Sequence, residues 1–147
     1  MTIRKATYRE LNMIRQHASK VMSESVAGHG KPAANNNHSL VSFVMNSGGY
    51  YLVDIYQSQL RGWIGVCKTM DNISEERQGF IPELYVLPTY RKQGIAENLL
   101  ASALTELKRQ GLKQVQLQVF VGNPAKKLYE KFGFTDTSTL MTKKLDE

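Results

Sequence analysis

A β-rich run that breaks at a proline, crosses a basic loop and enters a helix at a glycine is the feature that most narrows what this 147-residue chain can become. It reads Leu84-Tyr85-Val86-Leu87-Pro88-Thr89-Tyr90-Arg91-Lys92-Gln93-Gly94-Ile95-Ala96. Ile95, Leu99, Leu100, Ala103, Leu104 and Leu107 then recur with helical period, which predicts a helix to about Gln110. The first four N–H groups of a helix have no intrahelical partner, and the helix dipole puts partial positive charge at that end. Such an end binds phosphate or pyrophosphate. Gly94 leaves these amides unhindered, and Arg91 and Lys92 bring cationic charge to the same spot. Gln93, Gly94, Ile95 and Ala96 are therefore candidate anion-binding positions beside the two cations.

Other phosphate loops fit less well. A Walker A loop needs a longer Gly-to-Gly spacing, then Lys, then Ser or Thr for the metal. The superficial match Gly28-His29-Gly30-Lys31-Pro32 has the wrong spacing and a proline at the hydroxyl position. A dinucleotide fingerprint needs further glycines in the turn, and Arg91 to Ala96 contains one. A second segment narrows the choice: Asn123-Pro124-Ala125-Lys126-Lys127-Leu128-Tyr129-Glu130-Lys131-Phe132-Gly133-Phe134. Asn is a good N-cap, Pro is favoured at the first helical position, and Gly133 suits the residue just past a helix end. Ala125, Leu128, Tyr129 and Phe132 share one face, so this is a short, well-punctuated helix.

The spacing Arg91-x-x-Gly94-x-Ala96 resembles motif A of the GCN5-related N-acetyltransferase (GNAT) family, whose amides hold the pyrophosphate of acetyl-coenzyme A. Asn123 to Phe134 resembles the same family's motif B, in residue type and in distance from motif A. Glu83-Leu84-Tyr85-Val86 is similar to its fourth strand. The resemblance is specific from Gln78 to Phe134 and weaker before that. It implies an α/β acyl-CoA N-acyltransferase fold, a central mixed sheet flanked by helices, whose fourth and fifth strands splay apart to admit the pantetheine arm. It also implies acetyl-CoA as co-substrate with no metal, and Leu84, Tyr85, Val86, Asn123 and Lys126 among the residues that hold it.

A coarse reading of the whole chain agrees with one domain over residues 1–147. Strands are expected at Thr2–Ala6, Tyr50–Tyr56, Arg61–Thr69, Gln78–Val86 and Gln114–Val119. Thr7-Tyr8-Arg9-Glu10 is a capping box opening a helix to about Ser23, and a second short helix is expected over Leu40–Met45. Val26 to Ser39 reads as a Gly-, Asn- and Pro-rich loop. A last hairpin is expected from Phe134–Thr137 and Leu140–Leu145. No internal repeat appears.

No run of 18 apolar residues, leader or lipidation signal is present, so the expectation is a soluble, cytoplasmic protein off the membrane. The single cysteine, Cys67, cannot make an internal disulfide and lies in an apolar run, where it reads as a small buried hydrophobe. Net charge is +6, with local pairs at Arg91-Lys92, Lys126-Lys127 and Lys143-Lys144. No basic helix interleaved with aromatics and no stacking platform points to nucleic acid. The pairs beside the two motifs suit coenzyme A phosphates, and the rest reads as solvated charge. His17 falls opposite the apolar face of the first helix, and His29 and His38 lack paired ligand spacing, which speaks against a metal site.

The acceptor implied by the resemblance is a primary amine. With a Lys-like pKa of about 10.4, its neutral form lies some 3 units, roughly 4 kcal/mol, uphill near neutral pH. A base is therefore useful. Glu83, on the strand feeding the loop, is the candidate; its alternative is a solvated strand carboxylate. Strand parity puts Glu83 with Tyr85 on one face and Leu84 with Val86 on the other, and Pro82 suits a bulge or an edge. The resemblance makes Tyr129 the general acid toward the departing thiolate, while its apolar helix face alone reads as core. Asp54, Asp71, Glu75 and Glu76 are either an acidic funnel for a cationic amine or ordinary surface charge. The expectation is an N-acetyltransferase acting on a small-molecule, protein or peptide amine by direct attack in a ternary complex, as monomer or homodimer. A non-catalytic acyl-CoA sensor on the same fold is the alternative.

Overall fold

Alternating apolar residues in the middle of the chain build an antiparallel meander, and everything else in the molecule is placed by its two faces. The computed structural model describes residues 3–26, 28 and 39–146. Short β1 (Ile3–Lys5) pairs with β2 (Tyr50–Tyr56), β2 with β3 (Gln59–Met70), and β3 with β4 (Arg77–Val86), all antiparallel. The β2–β3 turn is made by Gln57 and Ser58, both at positive φ (50° and 63°), the type I′ geometry whose twist matches the flanking strands. A parallel fifth strand, β5 (Val115–Gln116), completes the order β1-β2-β3-β4-β5. A parallel neighbour requires a crossover, which α4 (Ile95–Arg109) supplies.

The sheet is covered on both sides. On one face Ile64, Val66, Ile81 and Val86 pack against Ile95, Leu99, Leu100, Ala103 and Leu107 of α4. Leu128 and Tyr129 of α5 (Ala125–Lys131) join the same cluster. On the other face Tyr51, Val53, Trp63 and Tyr85 meet α1 (Tyr8–Gln16), α2 (Ala18–Ser25) and α3 (Ser39–Asn46) through Leu11, Ile14, Val21, Val41 and Val44. The capping box at α1 forms as expected: Glu10 N–H donates to Thr7 Oγ1 at 3.2 Å, and Thr7 N–H to Glu10 Oε1 at 2.9 Å. Arg4 bonds both carboxylate oxygens at 2.8 Å and, as the largest cause, holds the Glu10 carboxyl down to about 2. Where one helix was expected to Ser23 there are two, because His17 takes ψ near 0° and ends the first.

Two features place the site. The β3–β4 ladder slips between Gly65 and Cys67, so Ile81 and Pro82 together face one residue; this is a bulge at the proline, which has no N–H to give. The β4–β5 ladder consists of Gly79↔Val115 and Phe80↔Gln116 alone. Beyond Phe80 the strands diverge, which is the splay that the resemblance implied.

The expected final hairpin is not formed. Residues 134–146 hold no helix or strand, and every side chain from Thr135 to Asp146 is exposed. A type I′ loop at Ser138-Thr139 would need positive φ at both residues, which a β-branched threonine resists, and a type II′ loop favours glycine where Ser138 stands. The fifth strand is also shorter than Gln114–Val119, because its ladder to β4 ends at Gln116.

Candidate active site

A cavity of about 830 Å³ opens in the splay. Phe80 to Val86 of β4 form one wall, and Gln118, Val119 and Phe120 form the facing one. The α4 N-terminus lies at one end, and Ile14, Val21, Val41 and Phe43 line the apolar side made by the first three helices. Such a volume is usual for a small-molecule site.

At the α4 end, Gly94 is the N-cap residue, with φ +79° and no side-chain cap. The positive φ explains why glycine stands there, since L side chains rarely adopt it. A Cβ added at Gly94 would meet no atom within 4 Å, so it is the backbone conformation rather than crowding that calls for glycine here. Gly94, Ile95 and Ala96 line the cavity, as do Arg91 and Lys92. Arg91 is held on three sides: its Nε donates to the Val86 carbonyl at 2.9 Å, its guanidinium lies 5.1 Å over the Tyr85 ring, and it pairs with Glu24 at 2.7 Å. Glu24, from α2, also accepts from the Tyr85 hydroxyl at 3.2 Å.

Glu83, 7% exposed, lines the same cavity. Its position is fixed by the strands beside it. Tyr51, Gly65 and Glu83 are register partners across β2, β3 and β4. Because Gly65 has no side chain, the Tyr51 ring lies over it and its hydroxyl donates to Glu83 Oε1 at 2.7 Å; a Cβ on Gly65 would sit 3.0 Å from two ring carbons. Trp63 Nε1–H donates to Oε2 at 2.8 Å. Burial pushes the Glu83 carboxyl above the ordinary carboxylate range, and the two donors pull it partly back. The Tyr51 phenol is pushed up by burial first and by the Glu83 charge second, so it stays a donor.

Tyr129 faces the cavity from α5 and is 8% exposed. Its ring packs edge-on to Phe134 at 5.8 Å, and burial pushes its phenol up to about 12. The core position and the cavity position thus coincide. Asn123 lines the cavity too, and its Oδ1 accepts from the Ala125 amide at 2.9 Å, capping the first turn from one residue before Pro124, which itself stands at the N-cap position of α5 where the sequence predicts Asn123.

Of the sequence candidates, Glu83, Tyr129, Leu84, Tyr85, Val86, Arg91, Lys92, Gly94, Ile95, Ala96 and Asn123 all line this cavity. Gln93 and Lys126 do not: Gln93 is exposed, and Lys126 pairs with Asp136 at 3.1 Å. The acidic funnel is also misplaced. Asp54 is buried against Arg61, with a 2.6 Å contact, and Asp71 closes its own loop by accepting from Ser74. Glu24 and Glu97, rather than these four, line the cavity beside Glu83. His17 is half-buried with its ring 5.6 Å from Trp63, and His29 and His38 lie outside the described residues. Among the described residues no cluster of three His, Cys, Asp or Glu could hold a metal.

Sequence reasoning missed Tyr51, Trp63 and Glu24. A glycine inside the apolar run Trp63-Ile64-Gly65-Val66 was the available signal, since such a glycine often marks a close approach.

The acetyltransferase (GNAT) family model matches residues 12–134. The uncharacterized N-acetyltransferase YycN of Bacillus subtilis is 31% identical over 90 residues, 60% of this chain and 56% of that protein. The ribosomal protein bS18-alanine N-acetyltransferase of Haemophilus influenzae is 33% identical over 82 residues, 56% of this chain and 52% of that one. The chain thus spans about half the length of these curated relatives. Among solved structures, a predicted acetyltransferase from Clostridium acetobutylicum with acetyl-CoA superposes with a TM-score of 0.75 at 19% identity, covering 97% of this chain and 95% of that one.

Proposed function

Because the chain belongs to the GNAT acetyltransferase family, we propose that it transfers an acetyl group from acetyl-CoA to a primary amine held in the same cavity. The observation that carries this reading is one juxtaposition. The splayed strands open a cavity with uncapped helix amides at one end and a buried carboxylate and a buried phenol on its walls.

The residues present suit the co-substrate. A pyrophosphate would lie on the amides of Gly94, Ile95 and Ala96, with Arg91 and Lys92 neutralising its charge. The pantetheine arm would run along Leu84 to Val86, where β4 has left its ladder with β5, much as a peptide adds to an open strand. Asn123 lies beside that path.

In the reaction the neutral amine nitrogen forms the N–C bond to the thioester carbonyl, and the C–S bond breaks. The amine proton passes to Glu83, directly or through water. A carboxylate with a raised pKa is a better proton acceptor than a solvated one. Tyr129 keeps its proton at neutral pH and can donate it toward the departing sulfur, whose thiol pKa is near 8.5. The relative from Haemophilus influenzae acts on an alanine of a ribosomal protein. For this chain the acceptor class is a primary amine of a small molecule or of a protein or peptide.

The test is free-thiol release from acetyl-CoA with a panel of diamines, amino sugars and peptides bearing N-terminal alanine. Amine-dependent release with a matching acetylated product supports transfer. Tight acetyl-CoA binding with no acceptor-dependent release across the panel would favour the sensor reading instead.

A further inference from the structure

The side of the sheet from which an amine approaches follows from the two buried polar side chains on the cavity walls. Glu83 bonds Tyr51 and Trp63, which belong to the cluster under α1, α2 and α3. Tyr129 belongs to the opposite cluster, under α4. If the thiolate leaves toward Tyr129, an amine that gives its proton to Glu83 stands on the α1–α3 side. The wall it meets there is made by Ala18, Val21, Met22, Leu40, Val41 and Phe43. Among the described residues of these three helices, Glu24 is the single polar side chain that lines the cavity. Phe43 is 44% exposed, which leaves its ring open to an occupant.

The carboxylates of the cavity are already committed. Among the described residues, those that line it are Glu24, Glu83 and Glu97. Glu24 pairs with Arg91 at 2.7 Å and accepts from the Tyr85 hydroxyl, and Glu97 pairs with Lys131 at 2.9 Å. Glu83 serves the reacting nitrogen. Gln118, on the facing wall, offers a hydrogen bond but no charge. A second ammonium against the α1–α3 wall would therefore be desolvated without a counter-charge, which is expensive. An apolar group gains by covering the same surface. Apolar surroundings also disfavour the ammonium form of the reacting amine, which lowers the cost of presenting it neutral.

Resting on the acetyl-transfer reading above, we infer that the acceptor is a monoamine on an apolar skeleton, seated against the α1–α3 wall, with Phe43 as a specificity-determining residue. Polyamines and amino sugars are poor acceptors on this account.

The test uses two pairs of amines, read by thiol release from acetyl-CoA. Pentylamine is compared with its isostere putrescine, which ends in an ammonium where pentylamine ends in a methyl group. Peptides with N-terminal leucine and N-terminal lysine form the second pair. In whichever pair is turned over, kcat/KM should be at least about tenfold higher for the apolar member. Turnover confined to the amine pair supports a small-molecule acceptor, and turnover confined to the peptide pair supports a chain terminus. Phe43→Asp, at an exposed position, should cut the apolar preference several-fold and leave acetyl-CoA affinity unchanged in calorimetric titration. Equal or better turnover of the charged members overturns the inference and leaves acetyl transfer standing. So does turnover of an amino sugar without the apolar probes, or an unchanged preference in folded Phe43→Asp. Thiol release with no amine at all overturns the transfer reading and this inference with it.

Discussion

Gly65 acts through the side chain it lacks. Its empty position is the space across which Tyr51 reaches Glu83, and this holds a buried carboxylate in one orientation. Gly65→Ala puts a methyl group 3.0 Å from the Tyr51 ring, so the ring must shift and the 2.7 Å bond must lengthen. The expected result is a several-fold drop in kcat with acetyl-CoA affinity unchanged, reproduced by Tyr51→Phe. If neither changes kcat, the Tyr51–Glu83 bond has no catalytic consequence. Tyr129→Phe separates the two uses of that residue, because it keeps the ring against Phe134 and removes the hydroxyl. Loss of a positioned acid is expected to lower kcat by about 100-fold. Cofactor affinity and melting temperature should hardly move; an untouched kcat would leave the ring as core alone.

Glu83 also makes a stability prediction. Its folded-state pKa is raised, so the native state holds the proton more tightly than the unfolded chain does. Stability from this group is therefore full below the ordinary glutamate value and is lost as pH rises through the folded pKa. Glu83→Gln can still accept from Trp63 and donate to Tyr51, and it has no charge to bury. Relative to wild type it should melt progressively higher from acid toward neutral pH. A constant difference across that range would contradict the raised value. That Glu83 and Tyr129 line one cavity was legible because their motifs carry them. Tyr51 and Trp63 were not, since their role depends on strand register, which local sequence leaves open.

At the scale of elements, the strand–loop–helix unit and the capped helix α5 followed directly from the chain. Their signals are local: a period, a proline, an asparagine cap and glycines at positive φ. Gly94→Val tests the first of them. A β-branched residue at φ +79° is strained, so the substitution should disturb the backbone that presents the first α4 amides even though a Cβ there meets no atom. Acetyl-CoA binding should weaken by roughly 1.5–3 kcal/mol, on the order of one lost charge-assisted hydrogen bond. Calorimetric titration of the folded variant reads this, and unchanged affinity would remove the pyrophosphate from the helix end. The same local reasoning failed at residues 134–146. Strand propensity there was real, but a hairpin also needs a turn, and Ser138-Thr139 carries none of the glycine or asparagine that two-residue turns favour. It failed again at His17, where a periodic apolar face continues through a break in the backbone.

For the whole molecule, one sheet flanked by helices was legible as an order of elements, although the described residues form three helices between β1 and β2 where two were expected. The cavity was legible only through resemblance, because a splay is a relation between strands far apart in sequence. The cavity wall built from α1, α2 and α3 is the least legible part: its apolar residues look like any core, and Glu24 gave no local signal. At the centre of the proposed reaction, a buried Glu83 takes the proton of an amine inside that cavity. The rate of thiol release as a function of pH, in wild type and in Glu83→Gln at saturating acetyl-CoA, tests this most directly. In wild type the rate should rise with pH as base or amine deprotonates. In the variant it should be depressed at neutral pH and recover partly at high pH, where more of the amine is already neutral, with acetyl-CoA affinity unchanged. A loss equal at every pH, or one that appears as weaker acetyl-CoA binding, would contradict the account and leave Glu83 a structural group.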